Sequence, residues 1–233
     1  MAETDLERKA WFWARASRLR ERLYKVCMRM FIRLLIMGLL GIAIGVGSAL
    51  WFGGMIAGGP RIGNAVEIDG WRSDWSIGSE NADQYVRARV ARNGLMGLRK
   101  EEAVYFMKTE DDDGAALSEA CTYLISGGSF PTNWWSITLY DGGNRLPMND
   151  DGRLSFDQTQ AEAVFENASR AWEAQVSAKP PSQSDMPWIS SRAGGNFDLT
   201  LRLYQPEDSL LTAPESVLRP PSITKQSCDG EVS

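Results

Sequence analysis

The chain has 233 residues, 43% of them apolar and 10% aromatic with nine Trp, and a formal charge of −5; this excludes a disordered or collagen-like chain and leaves one able to bury a sizeable core. The charge is uneven, with nine Lys/Arg against four Asp/Glu in the first 33 residues and sixteen against twenty-six in the rest. There is no His, and Cys27, Cys121 and Cys228 form no C-x-x-C pair, so Ser-His-Asp and Cys-His catalysis, zinc ribbons and thioredoxin-type redox sites are excluded.

Residues 1–33 form a basic segment in which Phe12, Ala16, Leu19, Leu23, Val26 and Met30 recur at alternating spacings of four and three, one stripe of a helix. Arg8, Arg15, Arg22 and Arg29 recur every seven residues beside it. Three readings stay open: a helix lying on an anionic leaflet, a short coiled coil, or a solvated tail that only sets orientation. Residues 34–57, Leu34 to Ala57, carry no charge. At 1.5 Å per residue they span about 36 Å, enough to cross a ~30 Å hydrocarbon core. Nine basic residues precede this span and only Arg61 and Arg72 come within twenty residues after it, which predicts a cytoplasmic N-terminus and export of the chain from about Gly58 onward. The long basic lead and long apolar run fit a retained signal anchor better than a cleaved signal peptide. Gly41, Gly45, Ala49 and Gly53 recur every fourth residue and leave one face bare enough for a second helix, although Gly and Ala are also common in such spans.

Residues 58–102 read as a Gly/Pro linker, Gly58 to Gly63, followed by a helical lead-in from Ala82 to Leu98. Strands are expected at Ala103 to Thr109, Cys121 to Ser126, Trp134 to Tyr140, Ala171 to Ala178 and Phe197 to Tyr204, with one helix within 160–175. In the last strand Phe197, Leu199, Leu201 and Leu203 alternate with Asp198, Thr200, Arg202 and Tyr204, one face buried and one wet. Turn signals separate the strands at Asp111 to Gly114, Asp141 to Asn144, Asn149 to Gly152 and Gly194 to Asn196. The expected fold is mainly β with some α, an antiparallel β-sandwich-like exported domain over 103–223 preceded by one transmembrane helix, with a polar tail at 224–233. Export would place Cys121 and Cys228 in an oxidising compartment, which predicts a disulfide tying that tail to the sheet, with Cys27 reduced.

Asp113-Gly114, Leu117, Tyr123, the run Trp135 to Asp141, Trp188-Ile189, the run Phe197 to Pro206 and Pro220-Pro221 together resemble the bacterial Domain of Unknown Function 1214 family over roughly residues 103–223. The resemblance implies a β-sandwich, a partner from the related family 1254 fused to it or encoded beside it, and, for short members, a single-pass protein of the Gram-negative inner membrane with a periplasmic C-terminal domain. It implies no reaction and no cofactor. Thr159 to Lys179 is the one departure, longer than the stretch the family has there.

The acidic cluster Glu110 to Asp113 is a candidate for a hard cation but lacks the further ligand positions of an EF-hand, so a solvated turn is the expectation and no metal is assigned. Asp141 and Asp198 could work as an acid–base pair only if the fold brings them together. Ser136 reads as a cross-strand hydrogen-bonding residue. Arg202, on the wet face, is the candidate to hold an anionic group, with Tyr140, Tyr204, Trp188 and Trp134 lining a groove beside it. Two functions are open. The first is a non-catalytic envelope module that binds a protein or a glycan. The second is an enzyme or enzyme subunit, carboxylate- or metal-dependent and hydrolase-like, completed by a family 1254 partner. Lack of His, of a phosphate loop and of a nucleophile motif favours the first. The acidic balance after residue 33 speaks against nucleic acid.

Overall fold

The computed structural model describes residues 3–52, 65–79, 82–92, 98–168 and 170–229. It divides into two units, Met1–Pro60 and Arg61–Ser233. The first unit is helix α1, Glu3–Phe52, 50 residues without interruption, about 75 Å at helical rise. Its part Leu23–Phe52 is long and apolar enough to cross a membrane, as an anchor or a signal segment is. The basic segment and the apolar span are therefore one helix. A basic helix lying flat on a leaflet would have to turn away near residue 33, where the backbone ladder is unbroken. The expected linker Gly58 to Gly63, and Gly53 of the small-residue stripe, lie outside the described residues.

The second unit is two stacked sheets. In chain order it contains β1 (Ala65–Ile68), β2 (Trp71–Asp74), α2 (Gln84–Arg92), β3 (Ala103–Lys108), β4 (Cys121–Gly127), β5 (Thr132–Asp141), β6 (Ser155–Asp157), α3 (Gln158–Val164), β7 (Trp172–Ser177), β8 (Trp188–Ser190), β9 (Phe197–Pro206), the short helices α4 (Asp208–Thr212) and α5 (Pro214–Val217), and β10 (Ser222–Cys228). Six strands run in the order β1-β2-β3-β9-β5-β6 and four in the order β10-β4-β7-β8. The domain is thus mainly β with a few helices and sandwich-like, its pairings antiparallel except that β8 joins β7 in parallel. Large aromatics fill the space between the sheets. Trp135 of β5 stacks on Trp172 of β7 at 4.8 Å, with Phe130 and Phe156 edge-on or tilted around them. Gly127 is required beside them: a Cβ there would overlap the Trp172 ring.

Three expectations need correction. The lead-in at 58–102 is more than linker and helix, because Val66, Ile68 and Trp71 are buried and bring β1 and β2 into the large sheet. Its helix is Gln84–Arg92, with residues 93–97 outside the described ones. The polar tail is a strand as far as Cys228, paired with β4 in antiparallel register from Ser222↔Ser126 to Cys228↔Cys121, because Ile223 is fully buried. Within 160–175 the helix is only α3, which stops at Val164 before β7 begins.

Tryptophan and tyrosine polar atoms fasten this sandwich. Trp71 Nε1 donates to Pro221 O at 2.8 Å, Trp172 Nε1 to Gly128 O at 2.8 Å, and Tyr123 Oη accepts from Ser118 N at 3.0 Å. Many residues that carry the family resemblance thus serve the fold. A disulfide joins Cys121 to Cys228, 107 residues apart, and Cys27 is free and exposed.

Candidate functional site

Three central strands set out a row of polar and aromatic side chains on the outward face of the large sheet. Residues alternate across a strand, so the register fixes the neighbours. Along β5 and β9 the outward pairs are Trp134↔Tyr204, Ser136↔Arg202, Thr138↔Thr200 and Tyr140↔Asp198. On the far side of β9, Tyr105 of β3 stands opposite Arg202. Their inward neighbours Trp135, Ile137, Leu139, Leu199, Leu201 and Leu203 are buried in the core and hold both strands rigid.

Arg202 lies at the centre of this row, partly buried. Its Nη1 donates to Thr138 Oγ1 at 3.1 Å, its Nη2 to Tyr140 Oη, and its guanidinium lies 5.5 Å from the centre of the Tyr140 ring. Among the described residues its partners are hydroxyls and a ring face, and no carboxylate lies within ion-pair distance. Two of five N–H donors are engaged, leaving part of the fork free. Tyr105 is buried beside it and keeps its phenol proton to higher pH than usual. Burial is the main cause; nearby Tyr204 and Tyr140 add to it, and Arg202 opposes it.

At the Trp134 end, local sequence builds the geometry. Asp157 caps α3 by accepting from Gln160 N at 3.0 Å, and Gln160 Oε1 accepts in return from Asp157 N at 3.0 Å. That box brings Thr159 to where its Oγ1 accepts from Trp134 Nε1 at 3.3 Å. Trp134 stays 36% exposed, with its ring 5.3 Å from that of Tyr204 and tilted by 52°. At the opposite end Asp198 is buried, contrary to a wet strand face, and its carboxyl pKa is pushed up to about 6. Burial is the largest cause; Asp141 adds repulsion, while the Thr200 hydroxyl, donating at 2.9 Å, and Arg202 hold it down. Asp141 caps its own turn, accepting from Gly143 N and Arg145 N at 2.8 Å each.

The fold thus brings Arg202, Tyr140, Tyr204 and Trp134 together and adds Tyr105. It does not bring Trp188, which belongs to β8 of the other sheet and donates from Nε1 to Ser177 O at 3.0 Å. Ile189 enters the core, so Trp188 faces away from it on the opposite side of the sandwich. Ser136 is a buried neighbour of Arg202. The acidic turn is solvated at Glu110, Asp112 and Asp113 and buried at Asp111. Asp111 is buried and accepts from Asp113 N and Ala115 N, whereas Asp112 accepts from Ile223 N and from buried Lys108, which also donates to Asp69 O. Asp112 thereby ties Lys108 of β3 to β10, and Lys108 reaches the β1–β2 turn, while Asp111 fastens its own turn. Among the described residues no cluster of three metal-ligating side chains forms.

Residues 102–208 match the model of a family described as Protein of unknown function (DUF1214). Among solved structures, the chain is similar to the VPA0106 protein of Vibrio parahaemolyticus, at 22% identity and a TM-score of 0.50 over 63% of this chain and 36% of that one. That likeness concerns the fold, and the chain spans about a third of that protein's length. An uncharacterised protein from Burkholderia cenocepacia matches at 14% identity over 53% of this chain and 29% of that one, with a TM-score of 0.34 too low to bear on the fold. No curated protein matches the chain.

Proposed function

On the premise that residues 102–208 belong to this family of unknown function, we propose that the protein is a membrane-tethered, non-catalytic binding module. Its β-domain holds an envelope component against the outward face of the large sheet. The observation that carries this reading is Arg202, a partly buried guanidinium held in place by Thr138 and Tyr140, with no carboxylate among the described residues within ion-pair distance and Asp198 acting on it only from farther off. A cation positioned by hydroxyls, with spare donors, is suited to an anionic group from outside. The apolar span anchors the domain at the bacterial inner membrane, with the basic flank cytoplasmic and the β-domain periplasmic; the charge asymmetry about the span supports this orientation.

The test compares envelope fractions incubated with the solubilised full-length protein and with its Arg202→Met variant. Retention by the wild type and loss in the variant, at unchanged melting temperature, is the expected result. Equal retention of both would remove the reading.

A second reading has one observation in its favour. Asp198, pushed up to about 6 and within electrostatic reach of Asp141, is a carboxyl poised for proton transfer, as an enzyme subunit completed by a family 1254 partner would need. Loss of a partner-dependent activity in Asp198→Asn, with binding intact, would favour it.

A further inference from the structure

Resting on that binding reading, we propose that the occupant of the outward face is a carboxylate-bearing glycan, one sugar ring lying against Trp134 and Tyr204 and its carboxylate taken by Arg202. Arg202 is one outward step along β9 from Tyr204, and its cross-strand neighbour Ser136 is one outward step along β5 from Trp134. The aromatic pair and the cation are thus separated by two residues of strand, about 7 Å, a distance suited to a ring and the acid group it or its neighbour carries. The two rings pack against each other at 5.3 Å with a tilt of 52°, and the 36% exposed Trp134 offers its outer side to the C–H face of a pyranose whose hydroxyls point away to water.

Along the strands the accessible groups form a row, with Trp134 36% exposed and Tyr204, Arg202 and Tyr140 partly exposed on β5 and β9, which suits a ligand that lies along the face. Charge narrows the class further. Beyond residue 33 the chain carries sixteen Lys/Arg against twenty-six Asp/Glu, so a dense polyanion such as nucleic acid is repelled, and a glycan with isolated carboxylates meets one cation with little penalty.

The experiment is calorimetric titration of the detergent-solubilised full-length protein with a hexasaccharide of alternating glucuronate and N-acetylglucosamine, and with the same hexasaccharide after reduction of its carboxyl groups. Saturable binding of the acidic form is expected, weakened about tenfold or more by carboxyl reduction or by Arg202→Met. Trp134→Ala should weaken both forms. Arg202→Lys, which keeps the charge and loses the fork, should retain part of the affinity, and it keeps the test open if Arg202→Met does not fold. Equal binding of the two forms would overturn the inference, as would no binding of either. If the envelope fraction is still retained through Arg202 while neither hexasaccharide binds, the glycan class fails and the binding reading survives. If Arg202 also proves irrelevant to that retention, both fail.

Discussion

At the scale of single residues, the outward face mixes groups that serve the fold with groups left over from it. Asp198 is costly to the fold. Its carboxyl lies near 6 in the folded protein against an ordinary 3.8, so the folded state resists ionisation. Stability from this group is therefore complete below about pH 4 and is lost as pH rises through about 6, because the charged form must then be held in a buried site. Asp198→Asn keeps an acceptor for the Thr200 hydroxyl and removes the charge. It is expected to raise the melting temperature at pH 7.5 and to flatten the pH dependence between 4 and 6.5, as thermal melts across that range would measure. A wild type that is equally stable at pH 4.5 and 7.5, and unaffected by the substitution, would mean that Asp198 is better solvated than its burial indicates.

At the scale of elements, β10 illustrates how a polar segment becomes ordered. Only Ile223 of the strand is fully buried, so its hold depends on pairing with β4, on Asp112 accepting from Ile223 N, and on the disulfide to Cys121. Cys228→Ser should lower stability by about 2–5 kcal/mol in denaturant titration, chiefly by restoring freedom to the unfolded chain. Peptide mapping of envelope protein without reduction should recover Cys121 linked to Cys228; finding both alkylated would show that the strand is held by pairing alone. In helix α1, Gly41 and Gly45 have nothing within 4 Å of where a Cβ would stand. A neighbouring helix could approach there at backbone distance. If the stripe mediates association in the bilayer, Gly45→Leu should weaken self-association, read by cross-linking in membranes. Unchanged cross-linking would reduce the stripe to composition.

For the whole molecule, the basic flank and the acidic domain define the orientation to be tested. A reporter fused after residue 229 should be active only when exported, and one fused before Glu3 only when cytoplasmic. The reverse pattern would put the disulfide in a reducing compartment and remove the envelope setting of the binding face.

Much is legible in the residues themselves. A 24-residue uncharged run needs no tertiary context to be apolar, and alternation in Phe197 to Tyr204 states which side chains enter a core. The same alternation puts Arg202, Tyr140 and Tyr204 on outward faces, because period-two geometry is local. What β5 and β9 stand beside is not local. Tyr105 joins the site through a register that links it to Arg202, about a hundred positions away, and Trp188 leaves it because β8 pairs with β7 in the other sheet. Asp198 reads as wet because alternation reports direction and not cover; its burial depends on what packs over the sheet. The tail reads as a loose end because a strand with one buried residue has little pattern of its own, and β4 supplies the pairing. Sequence alone thus determined the apolar span, the charge asymmetry and which residues prefer a core. Tertiary structure decided which outward residues meet, since meeting depends on contacts between strands that no segment encodes by itself.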